Sequence, residues 1–427
     1  MKRTGTISMS GRSLLRRMSL IFWACQRIAG ALSVAVVLAP VFLEIEAAQA
    51  QTLLVLYSFN GSNYSPGGLV RDPSGNFYGM NSGGTYGAGA IFKLDTTGKE
   101  TELYSFEGQP DGSGPTGLVR DSAGNLYGTT YRGGAHNLGT VFKLDTTNHE
   151  TVLYSFSGPD GAGPVMGMLR DASGNLYGTT EVGGAHGLGT VYKLDATNHE
   201  TVLYSFSGPD GEYPASGLVL DASGNLYGTA SNGGAHGFGT VFKLDTTNHE
   251  TVLYSFSGKP DGANPYALTL VRDASGNLYG MTQEGGALNA GVVFELDASG
   301  KETVLHSFSG RPNGDGALPG GSLFRDSSGN LYGTTLIGGS GDCLGRGIVG
   351  CGIIFKLTPT GTETVLHNFS GPPDGDGADP GGALIEDASG NLYGATSAGG
   401  AGICYGLVGL PPAEKNVGCG TVFKLEK

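Results

Sequence analysis

Eight histidines, five cysteines and a short acidic cluster are the residues of this 427-residue chain whose types suit catalysis or metal binding. The histidines recur. His136, His186 and His236 each follow Gly-Gly-Ala, and His149, His199 and His249 each follow Thr-Asn. His306 and His367 stand where other copies of the same motif have the Tyr of Leu-Tyr-Ser-Phe. A catalytic site needs a unique convergence of unlike groups, so residues copied with a repeat read first as scaffold. The Gly-Gly-Ala histidines also fit a shallow binding or metal-holding surface. Asp374, Asp376 and Asp379, in PDGDGADP, match part of a calcium loop but lack its full spacing and terminal Glu. The cofactor expected is none, with calcium as the alternative. No G-x-S-x-G elbow, H-E-x-x-H pair or phosphate-binding loop occurs.

The elements that must position these residues follow from a period of 50 residues. Thr101–Glu150, Thr151–Glu200 and Thr201–Glu250 are nearly the same text. Seven copies begin near Leu53, Thr101, Thr151, Thr201, Thr251, Thr303 and Thr364. Each has four short runs of β-branched and aromatic residues between Gly, Pro, Asp and Asn clusters. In the third copy they are Thr151–Phe156, Gly167–Asp171, Leu176–Thr180 and Thr190–Asp195. Four strands per repeat predict an all-β, seven-bladed β-propeller of four-stranded antiparallel blades, with a β-solenoid as the competing fold. The text begins with a fourth-strand motif, Thr52–Phe59, and ends with a third-strand motif, Gly420–Leu425. The N-terminal strand is therefore expected to pair in the last blade and close the ring, which removes exposed sheet edges. First strands are expected from Gly68, Gly117, Gly167, Gly217, Leu268, Ser322 and Gly382.

Successive loops of such a blade alternate between two faces. One face carries the near-invariant Asp-Ala-Ser-Gly-Asn turns, such as Asp171–Asn175, and the Asp145–His149 type of loop. Turn capping is the first reading of these Asp residues and calcium binding the second. The other face carries the Gly-Gly and Pro-Asp-Gly loops. There blade six has an insertion, Ser340–Cys351, and blade seven another, Ala401–Cys419. Loops on a rigid scaffold are where binding concentrates, although insertions there are also simply tolerated. Asp342, Arg346, Tyr405, the three Gly-Gly-Ala histidines, Asp160 and Asp210 are the candidate binding-face residues. Cys343 with Cys351, and Cys404 with Cys419, fall one pair per long loop. One disulfide per loop is expected in an oxidising compartment; zinc is the weaker reading, because no His accompanies either pair. On the channel side, Arg71, Arg120, Arg170, Arg272 and Arg325 recur, and Leu220 and Glu386 interrupt the series. This near-uniform ring offers no set of unlike metal ligands of the kind a lactonase-like propeller requires.

Residues 1–50 stand outside the repeat. Lys2, Arg3, Arg12, Arg16 and Arg17 precede the apolar run Ala29–Leu43, and Ala48-Gln49-Ala50 is a small-x-small cleavage site. This predicts a secretory signal peptide over 1–50 and a single propeller domain over 51–427. A retained anchor is the competing reading; Arg27 and the Ala-x-Ala site favour cleavage. Without those 50 residues the chain carries 19 basic and 36 acidic residues, a net charge of −17. That balance excludes a nucleic-acid binder in practice and suits cationic partners.

The elements Asp171–Thr180 (D-x-x-G-N-L-Y-G-T-T), Gly183–Ala185 and Gly189–Asp195 (G-x-V-F-K-L-D, with Tyr192 at its aromatic position) resemble the GloVer tandem repeat of exported bacterial proteins described as choice-of-anchor. The likeness covers Leu53–Leu425 in seven copies. It implies an exported bacterial propeller-like protein. The family brings no established activity and so no catalytic residues. Its members often carry an anchoring tail, whereas this sequence stops at Lys427, which leads us to expect a released or periplasmic protein. The functional expectation is a monomeric, non-enzymatic module binding a polysaccharide or protein partner through the rim of blades six and seven, with no nucleic acid and no membrane contact after cleavage. A metal-dependent hydrolase or lactonase working in the channel, and a purely structural envelope protein, are the alternatives.

Overall fold

The computed structural model describes residues 51–60, 68–165, 167–266, 269–310, 314–340, 342–343, 348–371, 375–401 and 418–427. Among them all regular structure is β, in seven antiparallel blades of four strand positions arranged as a propeller; the innermost position of blade three is split into Ala162–Pro164 and Leu169–Arg170, and one two-stranded ribbon stands outside the blades. Blade two shows the plan. Its strands are Ser113–Arg120, Leu126–Arg132, Thr140–Leu144 and Glu150–Ser155, paired in that order from the channel outward. Blade seven is composite: Ile385–Glu386, Leu392–Thr396 and Thr421–Leu425 are completed by Leu53–Ser58, with Leu53 opposite Leu425 and Ser58 opposite Thr421. The expected closure is therefore the one found, and the solenoid is excluded. The segment read as a signal peptide, 1–50, lies outside the described residues. Among the described residues no helix is long and apolar enough to cross a membrane.

A recurring aromatic pair joins each blade to the next. The Phe that ends the Tyr-Ser-Phe motif is fully buried and meets the central aromatic of the neighbouring blade's third strand edge to face. The pairs are Phe59–Phe92, Phe106–Phe142, Phe156–Tyr192, Phe206–Phe242, Phe256–Phe294, Phe308–Phe355 and Phe369–Phe423, at 5.0–5.3 Å between centroids. Edge-to-face pairs add about 0.5–1.5 kcal/mol each beyond the area they bury. The third strand is apolar on both faces because blades cover it on both sides; Val141, Phe142 and Leu144 are all essentially inaccessible. Its ring needs a glycine beside it: a Cβ on Gly128 would lie 2.5 Å from Phe142 Cζ. In the outer strand a bulge recurs, as between Val141 and Phe142 against Tyr154 and Val152, and twists that strand around the blade edge.

The innermost strands differ from expectation in their starts. Regular pairing begins at Val70, Val219 and Ile385 in three blades, two or three residues after the expected Gly. In blades two, three and six it begins earlier, at Ser113, Ala162 and Ala317, blade three breaking after Pro164 and resuming at Leu169, and the expected Leu268 lies outside the described residues. The reason is a backbone waist. A Cβ on Gly117 would lie 3.3 Å from Gly167 N, one on Gly217 2.8 Å from Gly167 Cα, and one on Gly321 2.4 Å from the Gly382 carbonyl. Neighbouring blades touch there through main chain; Gly167, Gly217 and Gly382 stand outside the paired strands, while Gly117 pairs with Thr129 within its own.

Candidate functional site

The Asp-turn end of the ring is a set of staples. Asp171 accepts hydrogen bonds from Ser173 N and Asn175 N on one oxygen and from Asn175 Nδ2 and Tyr177 Oη on the other. Equivalent bonds from the Asn and Tyr recur at Asp72, Asp121, Asp221, Asp273, Asp326 and Asp387. Burial opposes ionisation, but these donors outweigh it and hold the Asp221 and Asp387 carboxyls down at about 2. With both oxygens engaged by the turn itself, the capping reading accounts for these residues. The recurring Arg lies over the Tyr of the preceding blade: Arg120 over Tyr78, Arg170 over Tyr127, Arg272 over Tyr227 and Arg325 over Tyr279, at 5.2–5.7 Å. The interrupted Arg series is thus an inter-blade contact.

At the outer edge of the opposite end, Asp160 and Asp210 are turned inward. Asp160 accepts from Tyr154 Oη and from the amide and hydroxyl of Ser157, and Asp210 repeats this with Tyr204 and Ser207. These candidate ligand contacts instead tie the fourth strand to the loop that follows it. Asp376 plays the same part on the loop between blades six and seven, bonded to His367 and Ser370, so the His does there what Tyr does elsewhere. Asp379 sits in a left-handed conformation (φ 55°) before Pro380, its carboxyl pushed up by burial, and Asp374 lies outside the described residues. Among the described residues no three His, Cys, Asp or Glu side chains gather as a metal site, and Asp376 is already committed.

The long loops are described only in part. Asp342-Cys343 pairs with Ile348-Val349 as a small ribbon, and Cys343 is bonded to Cys351 with Cα atoms 5.1 Å apart, as expected. Cys419 is also in a disulfide. Arg346, Cys404 and Tyr405 lie outside the described residues. His136, His186 and His236 are exposed at loop tips. The alanine before each donates its amide to a serine of the outermost strand, Ser155, Ser205 or Ser255, which places the tips at the periphery.

The centre of this same end is different. Each second strand reads Leu-Tyr-Gly-x-x, with Phe for Leu in blade one, followed by one residue that varies: serine in three copies, Ser82, Ser231 and Ser397, and four different residues in the rest, Tyr131, Glu181, Gln283 and Leu336. Opposite it, each described channel-side segment opens with a residue in the left-handed region before proline: Gly114, Gly163, Tyr213, Asn264, Leu318 and Asp379, with φ 52–63°. Four of the six carry a side chain in a conformation that disfavours one, and such residues cluster at functional sites. Their amides donate to the preceding blade, as from Tyr213 to Leu188 O at 3.0 Å and from Asn264 to Phe238 O at 3.0 Å. The position after the proline also varies: Thr116, Val165, Ala215, Tyr266, Gly320 and Gly381. Rigid main chain thus presents unlike side chains around one mouth.

There a cavity of about 490 Å³ is lined by Met80, Pro115, Tyr131, Val165, Glu181 and Tyr266, with Asn81, Ser82, Gly114 and Thr116. It draws on blades one, two, three and five. Tyr131 Oη donates to Glu181 Oε2 at 2.7 Å across the boundary between blades two and three. That bond, then burial, raises the Tyr131 phenol, while burial and then the Glu181 charge raise Tyr266. The sequence reading missed this site because it weighed repeated residues and inserted loops. The signal was present in the single positions where nearly identical copies disagree.

Several solved structures share this fold. Virginiamycin B lyase from Staphylococcus aureus aligns at 16% identity with a TM-score of 0.57, over 88% of this chain and 99% of that one. A catalytically inactive variant of that enzyme, solved with quinupristin, aligns at 14% identity and the same TM-score, with the same coverage. A Bacteroides protein (B. thetaiotaomicron), described as the extracellular domain of a hybrid two-component system, aligns at 13% identity with a TM-score of 0.51, over 88% of this chain and 41% of that one. At these identities the likeness is one of fold. No curated protein matches the sequence. The profile of the Gloeobacter/Verrucomicrobia repeat matches residues 41–222 and 216–409, as the motifs implied, and the chain belongs to that repeat family.

Proposed function

We propose that this protein is an exported glycan-binding propeller whose ligand enters the channel mouth at the Gly-Gly end. One observation carries the reading: Tyr131, Glu181 and Tyr266, each unique among the copies, meet in one cavity of about 490 Å³. Aromatic faces stack on sugar rings, and a carboxylate accepts hydroxyl hydrogen bonds. The volume fits one or two sugar units, within the usual range of small-ligand sites. The waist below the mouth supports a ligand that caps the channel rather than threads it. The insertions of blades six and seven leave the same end and would extend the surface for a longer chain. Binding fits better than hydrolysis, because Glu181 is the one carboxylate among the described lining residues, and most glycosidases work with two. The basic and apolar segments of residues 1–50 support export.

The test is a polysaccharide and oligosaccharide binding screen on residues 51–427, beside Tyr266→Ala and a variant with 340–351 and 401–419 each cut to four residues. Loss of binding in Tyr266→Ala at unchanged melting temperature is the expected result. Binding that survives Tyr266→Ala and disappears only with the shortened loops would move recognition to the rim and overturn the assignment to the mouth.

A further inference from the structure

The lining of the mouth is unbalanced in charge. Among its described residues there is one carboxylate, Glu181, two phenols, and no Lys, Arg or His. Arg132, solvent-exposed and outside the lining, lies over the Tyr131 ring with its guanidinium carbon 6.0 Å from the centroid, so one cation already attends that ring while none is among the lining residues. Glu181 Oε2 receives the Tyr131 hydroxyl. That bond comes from a neutral donor, and among the described residues lining the cavity no cation stands beside Glu181. A carboxylate bonded by one neutral hydroxyl keeps acceptor lone pairs that an ammonium N–H can fill with a charge-assisted bond. The aromatic groups point the same way, since tyrosine faces attract ammonium groups through the ring quadrupole. The whole of residues 51–427, at net −17, adds a long-range pull in the same direction.

We infer that the mouth is a site for an organic ammonium group, held by Glu181 and the faces of Tyr131 and Tyr266. On a glycan that group is the free amine of an amino sugar, as opposed to its N-acetylated form. The inference rests on the binding reading above and narrows it. The ammonium needs no proton transfer: it enters charged, and its N–H groups donate to Glu181.

The test is isothermal titration of residues 51–427 with three probes, the glucosamine tetramer, the N-acetylglucosamine tetramer and choline, at pH 6 and low salt. The same titrations are run on Glu181→Gln and Tyr266→Ala, with melting temperatures to confirm folding. The expected result is at least about tenfold tighter binding of the glucosamine tetramer, equivalent to about 1.4 kcal/mol. Glu181→Gln should erase that ratio, and Tyr266→Ala should weaken both tetramers. Equal or tighter binding of the acetylated tetramer overturns the ammonium site while leaving glycan binding in place. Choline binding that depends on Glu181, with neither tetramer bound, keeps the ammonium site and removes the glycan reading. A preference for glucosamine that persists in Glu181→Gln overturns the assignment to this carboxylate, and no binding of any probe overturns both readings.

Discussion

At one end of the ring, Tyr127 lies between Lys143 of its own blade and Arg170 of the next, and its hydroxyl reaches Asp121. At the other end, four residues further along the same strand, Tyr131 reaches Glu181 in the neighbouring blade and faces a cavity. The first tyrosine has a counterpart in every blade and the second in none. A residue repeated seven times serves the scaffold: its bond to the turn Asp is made in all seven blades, and its contact with an Arg at five of the interfaces between them. The mouth is a single place seen from seven directions. A ligand there meets each blade differently, so its contacts must come from positions where the copies diverge. Sameness therefore marks scaffold in this chain, and divergence within an otherwise constant strand marks the site.

That division is broken most severely from the scaffold side. Phe206 is fully buried and meets Phe242 at 5.1 Å across the interface of blades three and four. Phe206→Ala should cost about 3–5 kcal/mol, the usual range for emptying such a site. Thermal denaturation should show a large fall in melting temperature, while ligand affinity below the transition stays within about twofold. Affinity lost in step with stability would mean that the mouth is not separable from the interfaces.

A second break acts on many interfaces together. Glu150, Glu200, Glu250, Glu302 and Glu363 begin outer strands, half-buried, each near an Asp of the preceding blade: Asp111, Asp160, Asp210, Asp261 and Asp315. Burial first, and then that Asp, push each Glu up to about 7 from the ordinary 4.5. Between those values the folded chain keeps protons that the unfolded chain has released, so stability falls as pH rises through the window and is lowest above it. The turn carboxylates act oppositely. Asp221 and Asp387, held at about 2, contribute stability above the ordinary 3.8 that is lost as pH falls towards 2. The melting temperature should therefore peak near pH 4–5 and decline towards pH 7.5, in a curve set by the scaffold. Replacing Glu200 with Gln should flatten part of that decline. A melting temperature that rises from pH 5 to 7.5 would contradict the assigned burial of these groups.

Most of the scaffold was legible in the sequence because its determinants are local and copied. The Asp-x-x-Gly-Asn turn, the Gly that makes room for Phe142, and the mismatched ends that close blade seven are all visible as text. The inner strand starts were misread because Gly117, Gly167 and Gly217 look like strand openings, whereas their lack of a Cβ permits main-chain contact between blades. The site was not legible by motif. Tyr131, Glu181 and Tyr266 come from blades two, three and five and become neighbours only when the ring closes. Asp160 and Asp210 looked available as ligand contacts, because the sequence hides the fact that Tyr154 and Tyr204 reach them.

The finest test uses a natural gap in the repeated set. Blade four ends its innermost strand in Leu220 where five other blades have Arg, so Tyr177 has Lys193 over its ring at 5.7 Å but no Arg from the next blade. If the Arg–Tyr contact is a scaffold staple, Leu220→Arg should supply the missing one. An exposed cation–π contact is worth about 0.5–1 kcal/mol, reduced by the apolar packing that Leu220 now gives against blade three. The expected outcome is a small rise in melting temperature with unchanged affinity at the mouth, read by paired denaturation and titration. The same substitution at the other end, Ser82→Arg, would place a cation in the lining of the cavity that holds Glu181 and should weaken ammonium binding without stabilising the ring. One Arg would then have opposite consequences at the two ends of the ring, which neither a uniform scaffold nor a uniform binding surface would produce.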